Sequence, residues 1–422
     1  MGFLAEYEEV ASIKCLRLMT RACYFIGVGL SALLTLSAAG RAIAADSSLE
    51  KRLASATVLQ EFNREFNTPG TFVRGLLGAR NLAALEFQKP DSTIVAVYDL
   101  NGQQCFRVAG KSLGAMQLSE DGSTLIISEA VGVEDWKYRI FDSTGMLRFE
   151  IGRSAFLLPS PSGKHFCNLY DGITEEQPTI YDKDGKEIAN LKHVRYSWNC
   201  RFLNDDCLII ANRDTAWFVA AANGEVIRTV TLPLNIPYDY AYPAIRVSQT
   251  NSLVALYSDH SLVLLSFDGK VLWHNSFDEF LSAVAFDDHG SWMALHLMTP
   301  KVSGYVKVVS ITDPERVATS IAIASLAGYY HRGFEVMWFS RGVITIWQPS
   351  LALVNALESD KPYFTLFMEF NTDSLSLGQP MIKPGLYWDL GDQGEQTKYL
   401  YAQPARRAAI LSVETKTQEV NK

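Results

Sequence analysis

Residues 118–128 read LSEDGSTLIIS, an Asp121-Gly122 dipeptide set between two apolar runs. Asp-Gly tolerates the positive φ that a tight hairpin turn requires, and Leu, Ile and Thr on either side suit a pleated, largely buried strand. The same pattern returns as LPSPSGKHFCNL at 158–169 and FDDHGSWMALHL at 286–297. Turns of this first kind fall around Gly78, Gly122, Gly163, Asp206, Asn251, Gly290 and Gly342. A second kind follows each by about twenty residues, as in VYDLNGQQCFRV, IFDSTGMLRFEI, IYDKDGKEIANL and LSFDGKVLWHNS.

Each unit of about 40–50 residues therefore reads as four antiparallel strands. A lone four-stranded sheet exposes two faces and two edges. Packing such sheets radially covers the faces and leaves only short edges, so the expected fold class is an all-β propeller of four-stranded antiparallel blades. Seven units span 70–378, and seven blades are favoured. Residues 379–422 also read as turns and strands; they form either a cap or, with a strand such as ATVLQEF from the lead-in at 46–69, an eighth blade.

The turn signature resembles that of the WD-repeat-like and TolB-like β-propellers, whose blades carry Ser-x-Asp-Gly followed by an apolar run and Ser. LSEDGSTLIIS fits it well, and FDGKVLW at 267–273 is similar to a single quinoprotein-type repeat. The Gly-His and Trp-Asp pairs of true WD repeats are absent. The resemblance implies a fold and leaves the activity open.

The chain has 422 residues, 48% hydrophobic and 20% charged, with a net charge of −8. This excludes a disordered chain and, lacking a basic stripe, makes nucleic acid and anionic membrane surfaces poor partners. Residues 1–45 have the anatomy of a secretory signal peptide: Arg17 and Arg21, an apolar stretch over 24–39, then Ala42-Ile43-Ala44. The acidic MGFLAEYEEV in front of it is unusual, and Met19 would make a more ordinary start. That stretch is shorter than the ~20 residues a spanning helix needs. The expectation is cleavage near Ala44 or Ala45, leaving a periplasmic or secreted protein with no membrane span; the alternative is an uncleaved anchor.

Cys105, Cys167, Cys200 and Cys207 remain beyond the leader, without CxxC or CxxCH. Cys200 and Cys207 flank a turn, so either a disulfide across a hairpin or two small core residues is expected. Chemistry in a propeller usually gathers at the end opposite its tight turns, where longer connections meet the central channel. That end is expected to collect Arg153, His193, Arg195, Tyr196, Tyr238, Tyr240, Tyr329, His331 and Arg332, an aromatic and cationic mouth. Such a mouth can stack on a planar ligand and pair with carboxylate or phosphate, or its tyrosines can plug the funnel and tie down loops. Acidic loops around Glu129, Glu134 and Asp135, and around Asp171, Glu175 and Glu176, read as solvated rather than metal-binding. YDKDGKE at 181–187 has a calcium-loop opening without the closing ligands, and reads as a plain hairpin turn. His165, His274 and His296 read as hydrogen-bonded blade residues and the strand tryptophans as packing wedges.

No catalytic motif, cofactor motif or metal-ligand spacing is present. The leading expectation is a non-enzymatic exported propeller binding a protein or small ligand at its loop-rich end, without cofactor or metal. The alternatives are a quinoprotein-like oxidoreductase or a lyase or lactonase at the channel mouth, and a structural subunit of an envelope assembly.

Overall fold

Every tight turn of the first kind joins the first and second strands of a sheet, and every turn of the second kind joins the third and fourth. The computed structural model describes residues 48–62, 66–68, 70–79, 82–131, 136–152, 156–169, 177–192, 194, 199–234, 243–299, 303–321, 336–347, 364–393, 396–403 and 407–414. Its strands form eight antiparallel sheets, which we number as blades 1 to 8. Blades 1 to 7 occupy 72–110, 113–152, 156–190, 199–231, 244–276, 280–319 and 336–384. In each, strands pair in chain order from inside to outside, and blade 7 carries one further pairing, Met381–Pro384 on its third strand.

Blade 8 is assembled from both ends of the described chain. Leu386–Gln393, Gln396–Gln403 and Arg407–Glu414 supply three strands, and Thr57–Glu61 supplies the outermost, pairing Thr57 with Ser412 and Glu61 with Ala409. The eighth blade held open by the sequence is thus the one observed, closed by the strand within ATVLQEF. It escapes a count of repeats for a simple reason. Its fourth strand comes from the other end of the chain, so it has no turn of the second kind. A helix, Ser48–Ala54, precedes this strand and buries Leu49 against blade 8.

The core is divided among the blade interfaces. Eight separate buried clusters each join one neighbouring pair of blades, and the last joins blade 8 back to blade 1 through Leu390, Leu400 and Ile410 against Leu76, Leu85 and Phe87. The ring is closed. Strand alternation explains the division: in blade 4, Leu208 and Ile210 face blade 3 while Ile209 and Ala211 face blade 5. Several described tryptophans serve these interfaces. Trp292 packs edge-on against Phe370, centroids 5.0 Å apart, and Trp338 against Trp388 at 4.7 Å.

At the turn end, neighbouring blades are stitched to one another. The Asp121 amide donates to Pro161 across blades 2 and 3 at 3.1 Å, and the Ser162 amide and hydroxyl both donate to Asp205 of blade 4. Asn251 of blade 5 donates to the Gly290 carbonyl of blade 6 at 2.7 Å. Asp288 of blade 6 accepts from Ser340 and the Arg341 amide of blade 7, and Arg341 Nη2 donates to both carboxylate oxygens of Asp389 of blade 8 at 2.7 and 2.9 Å. Gly163 shows why the turn residue is glycine, since φ is +63° and a Cβ there would strike Thr124 of the preceding blade. This end of the ring is short, repetitive and tied down.

The apparent calcium loop is a hairpin turn, with the Asp182 carboxylate accepting from the Asp184 and Lys186 amides at 2.9 Å. His165 donates through Nδ1 to the Asp205 carbonyl at 2.7 Å, and His296 Nδ1 lies 2.6 Å from Ser282 Oγ. His274 departs from expectation, lying exposed on the outer strand of blade 5.

The cysteine hairpin also differs from one of its two readings. Cys200 lies opposite Ile210, and Cys207 opposite Ala220 on the far side, so the hairpin does not face the two thiols and both are free. The register sets Cys207 three residues away from the partner of Cys200, and the two side chains lie on opposite faces of the sheet, Cys200 toward blade 3 and Cys207 toward blade 5. Cys200 instead meets Cys167 of blade 3 in the buried interface, and that contact together with burial pushes the Cys167 thiol well up. Cys105 is exposed. Alkylation of native protein followed by peptide mass mapping should therefore label Cys105 first, leave Cys167 and Cys200 unlabelled until denaturant is added, and then find a free thiol at each of Cys105, Cys167, Cys200 and Cys207. Two missing thiols would show a bridge.

Candidate functional site

The first strand of every blade lies next to the central axis, and its alternate residues decide what the channel presents. In blade 4 this strand is Asn199–Phe202 and in blade 5 Ala244–Ser248. Arg201 lies opposite Ile209, and Arg246 opposite Ala255, which is the same position in the two blades. In the flanking blades that position holds Leu158 and Ala285. Two cations thus stand side by side between apolar neighbours.

Arg201 is exposed to solvent on the innermost strand, with many protein atoms around it. Its guanidinium is held below the usual range, first by this removal from bulk water and then by the charge of Arg246. Each arginine donates through Nη1 at 3.2 Å to the carbonyl of the residue before it, Cys200 and Ile245 respectively, an identical local arrangement. Cys200 and then Tyr257, on the second strand of blade 5, act in the opposite sense and favour the Arg201 charge. A guanidinium stays ionised throughout the accessible pH range, so deprotonation offers no relief from the repulsion.

The nine residues expected at the loop-rich mouth, Arg153, His193, Arg195, Tyr196, Tyr238, Tyr240, Tyr329, His331 and Arg332, lie outside the described residues. So do Glu134, Asp135, Asp171, Glu175 and Glu176. Glu129 is described and forms ion pairs with Lys137 at 3.5 Å and Arg139 at 3.9 Å on its own blade. Among the described residues no cluster of three metal-ligating side chains occurs, and no helix is long and apolar enough to cross a membrane.

Sequence reading passed over Arg201 and Arg246 because a single arginine in a short apolar strand gives no periodic signal. Repeat alignment held the clue. Each lies five residues before the turn residue of its own unit, Asp206 or Asn251.

No family model and no curated protein matches the chain. Solved structures do match in fold. Hsv2 of Kluyvelomyces marxianus is similar with a TM-score of 0.50 and 11% identity, over 74% of this chain and 99% of that one. Hsv2p of Kluyveromyces lactis gives 0.49 and 11%, over 74% and 97%. The WD40 domain of Toxoplasma gondii coronin gives 0.44 and 10%, over 82% of each chain. The WD-repeat-like resemblance holds at the level of fold.

Proposed function

We propose that the protein is an exported, non-enzymatic scaffold that binds a protein partner or a small ligand at the loop-rich end of its ring. The observation that carries this reading is the asymmetry of the two ends. One end is closed by short turns bonded blade to blade, while the described strand ends that lead into the longer connections lie at the other. Binding surfaces belong on variable loops held by a rigid frame. The fold similarity to WD-repeat-like propellers fits the same role, and the leader-like segment at 1–45 supports export.

The test begins with native material. Its mass should correspond to a chain starting just after Ala44 or Ala45, with a net charge of −9. What copurifies is identified by mass spectrometry, and its affinity is measured for two variants. The double substitution His331→Ala and Arg332→Ala should weaken binding by more than about tenfold, or ~1.4 kcal/mol, with the melting temperature unchanged. Lys164→Glu on the turn end, an exposed site paired with exposed Asp206, should leave affinity unaltered. The reverse pattern would place the binding surface on the turn end and overturn the reading.

A further inference from the structure

We infer that the helix Ser48–Ala54 is a releasable strap over the seam between blades 7 and 8, held there by two ion pairs that loosen as ionic strength rises. This stands apart from the loop-end reading and does not rest on it.

The segment that closes the ring reaches three blades. Its strand, Thr57–Glu61, belongs to blade 8, and Phe62 just after it stacks on Tyr98 of blade 1. The helix just before it reaches the other way, to blade 7. Glu50 pairs with Lys383 at 3.1 Å and Arg52 with Glu369 at 3.1 Å, and these partners lie in Met381–Pro384 and Phe364–Asn371, both of blade 7. Leu49, 2% exposed, and the partly buried Leu53 join the cluster that unites Phe367 of blade 7 with Tyr399, Tyr401 and Leu411 of blade 8. Among the described residues this is the only α-helix, so no other seam carries a helical cover.

Three properties make the strap separable from the ring. Seven residues are too few to hold a helix in water without docking, so release and unwinding coincide. The closing strand has its own ladder with Arg407–Glu414, so the helix can leave while the strand stays. The four charged side chains keep 19–45% of their surface exposed, where ions reach them and added salt weakens the attraction. Burial of Leu49 gives the strap its hold, and the two pairs, acid to base at Glu50 and base to acid at Arg52, fix its position and make release answer to salt. Release bares the joint cluster, so the seam between blades 7 and 8 loosens before the closure at blade 1.

Hydrogen–deuterium exchange of the whole chain, read on peptides covering 48–56, 57–61 and 407–414, tests this. Lys383→Glu sets two acids against each other and should speed exchange over 48–56 at least about fivefold. Combining it with Glu50→Lys restores an opposite pair and should return the rate to within about twofold of wild type. Raising sodium chloride from about 0.05 to about 0.5 M should speed wild-type exchange over 48–56 about twofold or more. The peptides 57–61 and 407–414 should change less than about twofold throughout, because only the strap opens. Three results would overturn the inference: a rate over 48–56 that neither Lys383→Glu nor salt alters, a double variant as fast as the single one, or helix and strand peptides that accelerate together, since that marks the helix as an inseparable part of the closure. None of these bears on the loop-end variants, so the two readings fail separately.

Discussion

Replacing Phe62 with alanine should destabilise the ring by about 3–5 kcal/mol, the cost of emptying a buried aromatic site. Phe62 follows the closing strand directly. Its amide donates to the Ala408 carbonyl at 2.8 Å, and its ring stacks on Tyr98 of blade 1 at 3.9 Å, with only 4% of its surface exposed. One side chain thereby fastens the outermost strand of blade 8 and bridges it to blade 1. Val58 and Leu59, in the strand itself, are 40% and 37% exposed, so their alanine variants should cost less than about 1 kcal/mol. Urea denaturation midpoints measure all three. Should Phe62→Ala shift the midpoint no more than Leu59→Ala does, the ring does not depend on this closure.

Gly145→Val should cost about 2–6 kcal/mol. Two effects add. The residue has φ near +85°, where a branched side chain is strained by ~1–3 kcal/mol. Its Cβ would also land on the Phe106 ring, which belongs to the outer strand of the preceding blade, and overpacking adds ~1–3 kcal/mol. Gly152 provides the control within the same blade, since nothing lies within 4 Å of a Cβ there. Gly152→Ala should therefore stay within about 0.5 kcal/mol of wild type. Equal effects at the two positions would mean that the turn end is not packed blade against blade as described.

What the sequence reveals of this molecule follows from which interactions are local. A turn of four to six residues carries its own chemistry, so Gly122, Gly163 and Gly290 announced their hairpins, and the alternation of two turn kinds announced the four-stranded unit. Blade 8 depends on Thr57 meeting Ser412, and no local pattern states that two chain segments so distant belong to one sheet. The pair Arg201 and Arg246 was hidden for the same reason. Each is unremarkable in its own strand, and only the angular repetition of blades brings two equivalent positions together. The cysteine hairpin shows the converse error, where nearness in sequence suggested Cys207 for Cys200 and the neighbouring blade supplied Cys167 instead.

The joining of Thr57–Glu61 to Arg407–Glu414 also dictates an order of events. During synthesis, the segment that seals the circle emerges before the seven other blades while its docking edge emerges after them. For most of that interval the opening segment must wait as an unpaired strand, and the face of blade 1 that packs on blade 8 has no finished neighbour. Folding of the complete circle is consequently a late, long-range step with a high loop-closure cost. Quality control that recognises an unmated strand has, in this molecule, a natural signal for a polypeptide cut short before its final forty residues.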